Sequence, residues 1–228
     1  TVGGQRFPGF SGVLGRDPDC GLVHYHSAPL RGWRAEQVPG DPVAADPVAA
    51  LDGDTLHVVA TAPDGRVLHW ARRDDWSITD PETGAGPTIR IGGTPQPVVR
   101  DGTLHVLGRD RNDQLAILTL GDDGEWRRVL LAGDLTGEPR AVRGPAGLHV
   151  FAPTRGGLVH ARPTDDGWDW EDVIGTRPSL AAGAAGAEEV RCWGSGTALR
   201  VFVRKGNTLR ALSWSPDGDW VDDPVTDR

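Results

Sequence analysis

Seven histidines are the first residues in this sequence that could do chemistry, because an imidazole can bind a metal ion or carry a proton. Three of them, His57, His105 and His149, stand in Leu-His-Val segments spaced 48 and 44 residues apart. If these segments lie on separate packed sheets about 10 Å apart, they cannot share a zinc ion, whose bonds to nitrogen are about 2.0–2.1 Å long. We therefore predict no metal site and no cofactor. These histidines are instead expected to pack between sheets and to hydrogen-bond a backbone carbonyl, and the same role is predicted for His24, His69 and His160.

Carboxylate pairs would indicate glycoside hydrolysis, which needs two Asp or Glu side chains about 5–10 Å apart. The segments that we predict to be inner strands are apolar or basic, and only Glu188 and Glu189 stand near the start of one. The many Asp-Gly pairs belong to turns. No Gly-x-Ser-x-Gly, His-Glu-x-x-His or Gly-Lys-Ser/Thr motif occurs. We predict no catalytic residue, while an enzyme of another kind stays open as an alternative.

Aromatic and arginine side chains offer a third chemistry, the binding of a polar ligand. An aromatic ring can pack on the C–H face of a sugar while polar groups bind its hydroxyls. Arginines of the predicted inner strands could bind a planar anion, although they could equally pair with surface acidic residues. The predicted ligand-binding residues are Trp168, Trp70, Trp214, Tyr25, Arg100 and Arg143.

The elements that would position these residues form a repeat of four strands. Leu-x-Val segments begin at Leu56, Leu104, Leu148 and Leu199, spaced 44 to 51 residues apart, and a fifth copy begins at Ser11. A short apolar strand precedes each segment, and a turn with Gly or Asn, a third strand and a fourth strand follow. The fourth strand opens on Trp33, Trp76, Trp126, Trp170 or Trp220.

Repeats of this length with a tryptophan at a fixed place are typical of β-propeller blades. A blade cannot bury its two apolar faces alone, so its neighbours must cover them, and we predict that the five tryptophans are buried there. The fold class is predicted to be all-β, a five-bladed β-propeller of four-stranded antiparallel blades. The chain would form one domain, with repeats at about 1–40, 41–93, 94–137, 138–180 and 181–228.

The fourth repeat resembles the PLL-like fucose-binding lectins. It carries Leu148-His149-Val150-Phe151-Ala152, Gly157-Leu158-Val159-His160 and Asp166-Gly167-Trp168-Asp169-Trp170-Glu171 in the order in which that family repeats a Leu-x-Val-Phe-Ala strand, an Ala-Leu-x-His strand and a Gly-Trp-x-x-Trp-Glu segment. The family is usually seven-bladed, whereas five copies are more like the tachylectin-type lectins. The resemblance implies a lectin-like module that binds fucose or an O-methylated sugar.

The composition narrows the range of partners. The net charge is −8 and the basic residues are scattered, so nucleic acid and anionic membranes are not expected partners. No apolar run could insert into a membrane. We predict a soluble bacterial repeat protein that binds a glycan or small sugar in shallow pockets between blades. A protein-interaction scaffold and an enzyme with its site at the propeller channel mouth are the alternatives. The sequence assigns no compartment, and secretion through a segment outside this chain stays open.

Two further predictions concern the chain as a whole. Cys20 and Cys192 are expected on opposite faces of the propeller, too far apart for a disulfide. The inner strand of the first repeat is predicted at Gly3 to Phe7, and the tail from Asp223 to Asp227 is predicted to close the ring ahead of it.

Overall fold

The structure is a computed structural model that describes residues 12–28, 32–83, 85–131, 133–145, 147–173, 186–195, 198–214 and 220–223. All regular structure in these residues is β, and the strands form five antiparallel sheets. No helix in this part of the chain is long and apolar enough to cross a membrane.

Each predicted repeat supplies the strands of one sheet, in chain order across the sheet. Sheet 1 contains β1 (Gly12–Arg16), β2 (Leu22–Ala28) and β3 (Gly32–Gln37). Sheet 2 contains β4 (Val48–Asp52), β5 (Thr55–Thr61), β6 (Val67–Arg72) and β7 (Trp76–Thr79). Sheet 3 contains β8 (Gln96–Arg100), β9 (Thr103–Arg109), β10 (Leu115–Leu120) and β11 (Trp126–Leu130). Sheet 4 contains β12 (Arg140–Gly144), β13 (Gly147–Pro153), β14 (Leu158–Thr164) and β15 (Gly167–Asp172). Sheet 5 contains β16 (Glu189–Gly194), β17 (Leu199–Lys205), β18 (Thr208–Trp214) and β19 (Trp220–Asp223).

The Leu-x-Val segments of sheets 2, 3 and 4 are the most deeply buried strands. In β5, β9 and β13 nearly every residue is buried, whichever face of the strand it occupies. A strand covered on both faces reads as an almost continuous apolar run, here interrupted only by the histidine. Tight turns connect these strands to the inner ones: Asp101 and Gly102 both have positive φ, at 49° and 81°, as an Asp-Gly hairpin turn requires.

The chain divides into two compact units. Unit 1 comprises Thr1–Gly108 and Ile117–Val129, and unit 2 comprises Arg109–Ala116 and Leu130–Arg228. The apolar core of unit 1 packs residues of sheet 1, such as Leu22, against Val58 and Trp70 of sheet 2. The core of unit 2 packs Phe151 of sheet 4 against residues of sheet 5 that include Trp214. Burial of apolar surface between successive sheets is therefore what holds each unit together.

The structure corrects the prediction that all five tryptophans are buried. Trp126 and Trp220 are buried, but Trp33 is 63% and Trp170 is 48% exposed. Trp33 lies three residues before Glu36, whose side chain faces sheet 2, so its ring is on the opposite face of sheet 1. In the fourth repeat the last strand begins at Gly167 rather than at Trp170. In the ladder of sheet 4, Trp168 lies opposite Pro163. It is therefore the equivalent of Trp76, which lies opposite Arg72 in sheet 2.

A second correction concerns carboxylates on the inner strands. Asp52 is the last residue of β4 and Glu189 is the first residue of β16, so these strands do carry acidic residues at their ends. Glu189 is held in ion pairs with Arg191 and Arg204. The predicted inner strand at Gly3 to Phe7 and the closing segment 224–228 lie outside the described residues. Cys20 and Cys192 are both free thiols.

Candidate functional site

One polar arrangement recurs where two successive sheets pack. A histidine on the third strand of one sheet pairs across the ladder with a polar residue on its fourth strand. The tryptophan that opens the fourth strand of the next sheet lies edge-on against this histidine. The ring centroids are 5.7 Å apart for His24 and Trp76, 5.2 Å for His69 and Trp126, and 5.6 Å for His160 and Trp220. The fourth-strand partners are Glu36, Thr79 and Glu171.

Between sheets 2 and 3 this arrangement is a continuous series of hydrogen bonds. Trp126 Nε1 donates to Thr79 Oγ1 at 3.3 Å, and the Thr79 hydroxyl lies 2.6 Å from His69 Nδ1. His69 Nε2 is 3.0 Å from His57 Nδ1. Because the hydroxyl can accept from the indole and donate to the imidazole, Trp126 Nε1, the Thr79 hydroxyl and both nitrogens of His69 are satisfied while both histidines stay neutral. Burial lowers the pKa of His69 to about 3, which agrees with a neutral ring.

Between sheets 4 and 5 Glu171 takes the place of Thr79, and this changes the number of protons that the hydrogen bonds require. His149 Nε2 must donate to Pro145 O at 2.6 Å, because a carbonyl only accepts. His149 Nδ1 therefore accepts from His160 Nε2 at 2.9 Å, and His160 Nδ1 faces Glu171 Oε1 at 3.0 Å. A hydrogen bond between these two atoms therefore needs one proton more than the series between sheets 2 and 3 carries, whereas burial lowers the pKa of His160 to about 4. Of the histidines predicted to bond a backbone carbonyl, His149 does so, whereas the bonds described for His57, His69, His105 and His160 join them to other side chains.

Between sheets 1 and 2 a guanidinium, rather than a hydroxyl, is the hydrogen-bond donor to the histidine. Arg72 Nη1 lies 2.7 Å from His24 Nδ1 and 3.4 Å from Glu36 Oε2. A guanidinium only donates, so His24 Nδ1 accepts its proton and the imidazole is neutral. The Arg72 guanidinium also lies 5.5 Å from the ring centroid of Trp76. His24, Glu36, Arg72 and Trp76 together are called the four-residue site below.

The four-residue site is open to solvent at its charged end. His24 is buried, but the side chain of Glu36 is 37% exposed and that of Arg72 is 21% exposed. Burial lowers the pKa of His24, and the nearby Arg72 charge lowers it further against the raising effect of Glu36. The pKa of Glu36 is lowered too: burial opposes ionisation, but the polar contact with the His24 side chain and the Arg72 charge outweigh it. At neutral pH the site thus presents a carboxylate, a guanidinium and a neutral imidazole beside an aromatic ring.

Equivalent positions in the other sheets lack the arginine. The repeat places Leu120 where Arg72 stands, next to Trp126. In sheet 5 the same ladder position, opposite Trp220, is taken by Trp214. Trp214 is buried and packs on His149, with ring centroids 4.9 Å apart. An apolar side chain therefore fills the place that a charged group occupies between sheets 1 and 2.

The predicted ligand-binding residues fall into three groups. Trp70 and Trp214 belong to the cores of units 1 and 2, and Trp70 Nε1 donates to Pro39 O at 2.7 Å. Tyr25 is 39% exposed on the face of sheet 1 opposite to His24, and Trp168 is half-buried on β15. None of these four rings belongs to the four-residue site.

The two predicted arginines belong to different units, so neither unit contains both of them. Arg100 ends β8 in unit 1 and pairs with Asp101 at 3.1 Å. Arg143 is exposed on β12 in unit 2. Their predicted part in ligand binding stays a prediction.

Sequence reasoning missed Glu36 and Arg72. A signal for Glu36 was available, because Gly32-Trp33-Arg34-Ala35-Glu36 and Gly167-Trp168-Asp169-Trp170-Glu171 share a Gly-Trp-x-x-Glu spacing. Arg72 reads as one of a surface pair with Arg73, and only the packing of sheet 2 on sheet 1 reveals its partners. Such a contact between strands of different repeats has no local sequence signature.

Comparison with known proteins supports the fold. No protein-family model and no curated protein sequence matches the chain. The fold is similar to AofleA from Arthrobotrys oligospora, with a TM-score of 0.56, 16% identity, and coverage of 94% of this chain and 67% of that one. A variant of the Aleuria aurantia lectin in complex with Fucα1-6GlcNAc has a TM-score of 0.53 and 14% identity, covering 95% of this chain and 74% of that one.

A protein from Lactobacillus plantarum has a TM-score of 0.56 and 18% identity, covering 93% of this chain and 66% of that one. This chain thus spans between two thirds and three quarters of the length of the two lectins, and slightly less of the third protein. Another structure of the Aleuria aurantia lectin is described as a six-bladed β-propeller with a fucose recognition mode. At these identities the likeness is one of architecture: the chain has the β-propeller fold of fucose-binding lectins.

Proposed function

We propose that this chain is a carbohydrate-binding module and that the four-residue site between sheets 1 and 2 is its sugar site. The observation that carries the proposal is the convergence of His24, Glu36, Arg72 and Trp76 at one solvent-accessible place. The equivalent positions hold Leu120 and Trp214, so this set of polar groups is not needed for packing one sheet on the next.

The chemistry of the site suits a sugar. Vicinal hydroxyls each donate and accept a hydrogen bond, and here a guanidinium that only donates stands 3.4 Å from a carboxylate that only accepts. Charge-assisted bonds of both kinds are about twice as strong as neutral ones. The partly exposed ring of Trp76 offers an apolar surface for the C–H face of the same ligand.

Fucose or an O-methylated sugar is the ligand class that we propose first. The resemblance of the fourth repeat suggests it, and the similar lectin structures contain fucosides. A glycan array would identify the sugar, and calorimetric titration with methyl α-L-fucoside is the first direct measurement. If the chain is instead a protein-interaction scaffold, a partner captured from the source cell would be retained in excess sugar.

Arg72→Ala should weaken sugar binding at least tenfold, because it removes the donor that faces both the ligand and Glu36. Arg66→Ala is the matched control: Arg66 is an arginine of the same unit that pairs with Asp41 and Asp64 outside the site. Calorimetry on both variants, with melting temperatures recorded, separates lost contacts from lost folding. Equal affinities for Arg72→Ala and Arg66→Ala would contradict the proposed site, and a chain that binds no glycan on the array would contradict the function.

A further inference from the structure

Three side chains whose lone pairs suit a transition metal meet at the four-residue site, and two of them belong to it. They are the side chains of His24, His26 and Glu36, whose ligand atoms all lie within 4.8 Å of one another. His24 and His26 are two residues apart on β2 and therefore project from the same face, with ring centroids 5.1 Å apart. Glu36 lies opposite His24 on β3. The hydrogen-bonded pair β2–β3 thus fixes all three.

The distances between the donor atoms approach those of a zinc site. With bonds of about 2.0–2.1 Å, ligand atoms of a tetrahedral zinc ion stand about 3.3 Å apart. His24 Nδ1 is 3.3 Å and His26 Nδ1 is 4.0 Å from Glu36 Oε2. A small rotation of the partly exposed His26 ring would shorten the distance between His26 Nδ1 and Glu36 Oε2 from 4.0 Å to about 3.3 Å. Two imidazoles and one carboxylate also form a donor set that zinc prefers.

The state of His26 supports a ligand at this place. Its Nδ1 atom is shielded from solvent, and no hydrogen-bond partner for it is found among the described residues. A shielded polar atom without a partner costs free energy unless something binds it. A metal ion between His26 Nδ1 and Glu36 Oε2 would satisfy it.

Arg72 occupies the cation position of this cluster. Its guanidinium approaches His24 Nδ1 at 2.7 Å and Glu36 at 3.4 Å, so the cluster already surrounds a positive charge. The arginine side chain is 21% exposed and can leave toward solvent. The same atoms that face Arg72 would then face the metal.

We propose that His24, His26 and Glu36 bind a Zn²⁺ ion, and that the ion displaces Arg72. Three protein ligands leave the fourth position of a tetrahedral ion for water. The proposal does not rest on sugar binding, but it has a consequence for it. Because the metal would take Glu36 and expel Arg72, zinc and sugar would exclude each other at this place.

The test uses the complete chain without an affinity tag. Co²⁺ titration followed by visible absorption reports tetrahedral coordination directly, and Zn²⁺ calorimetry gives the stoichiometry. We expect one ion per chain. His26→Ala should weaken Zn²⁺ binding at least tenfold, whereas Arg72→Ala should strengthen it, because the competing cation is gone. Glu125→Gln, an exposed acidic residue of a sheet 3 turn, is the control and should change nothing.

Opposite responses distinguish this proposal from the proposed function. Arg72→Ala should lose sugar while gaining zinc, and Glu36→Gln should lose both. If Co²⁺ gives no tetrahedral spectrum, or His26→Ala binds Zn²⁺ as the unchanged chain does, the metal site is wrong whatever the sugar result. If zinc binds as expected and no sugar does, the metal site stands and the proposed function fails.

Discussion

A histidine packed against the next sheet meets a polar side chain at its Nδ1 atom, and each of the three sites supplies a different one. The Thr79 hydroxyl serves His69, and the Arg72 guanidinium serves His24. His160 Nδ1 faces the Glu171 carboxylate, so a hydrogen bond between them needs an additional proton. The fourth-strand residue and the side chain that the next sheet places at the position of Arg72 therefore decide together whether the site is neutral or charged.

The Thr79 hydroxyl is predicted to be essential to the neutral chain. Thr79→Val keeps the shape but leaves His69 Nδ1 and Trp126 Nε1 without partners. Each buried unsatisfied group costs about 1–3 kcal/mol, so the free energy of unfolding should fall by about that much or more. Urea denaturation measures the loss. Thr79→Ser, which keeps the hydroxyl, should be close to the unchanged chain; similar losses for both variants would assign the effect to packing rather than to the hydroxyl.

At the scale of the strand, the inner strands of unit 2 approach each other closely. Gly194 ends β16, and a side chain there would overlap the Arg143 carbonyl oxygen of β12. Carbonyl oxygens of a paired strand cannot move aside as a flexible side chain can. Glycine at this position therefore sets how closely sheets 4 and 5 approach.

Gly194→Ala is predicted to destabilise unit 2. Overpacking of this kind typically costs about 1–3 kcal/mol, and each kcal/mol lowers the melting temperature of a chain of 150–250 residues by about 2–4 °C. Gly133→Ala is the matched control, because a methyl group there meets nothing within 4 Å. Calorimetric melting of both variants measures the difference, and an equal melting temperature for the two would show that the strands can separate without cost.

Strands were predictable from the sequence because their signals are local. Leu-x-Val runs, Asp-Gly turns and the tryptophan that follows them located the segments of all five sheets. The fourth repeat misled the prediction, since Trp168 and Trp170 lie on the same face of one strand and only the ladder register shows which of them is equivalent to Trp76. The four-residue site was missed because Glu36 and Arg72 meet only when one sheet packs on another, which depends on packing and not on spacing.

For the molecule as a whole, its histidines make stability depend on pH. Burial lowers the pKa of His69 to about 3 and of His105 to about 4, and His24, His57 and His149 are lowered as well. In an unfolded chain these groups titrate near pH 6.5. Between the two values the unfolded state binds more protons than the folded state, so acid favours unfolding.

We expect the free energy of unfolding to be constant between about pH 7 and pH 8 and to fall between about pH 6.5 and pH 4, by about 1 kcal/mol per pH unit for each such histidine. Urea denaturation at a series of pH values measures this slope. Carboxylates with lowered pKa values add their own loss only at lower pH, so the region from about pH 6.5 to pH 5 reports the histidines. A flat profile in that region would mean that the rings gain protons without unfolding.

The place of Arg72 has a consequence for valency. Repeat proteins often multiply a weak site, and linked sites bind a surface far more tightly than one site does. Among the residues that the structure describes, the combination of histidine, glutamate, arginine and tryptophan is complete at one place, while Leu120 and Trp214 fill the positions equivalent to Arg72 beside the other two histidine–tryptophan pairs. If that combination is what binds sugar, the described strands form a scaffold for a single binding event. The module would then recognise a glycan without cross-linking it, and any avidity would have to come from joining several chains.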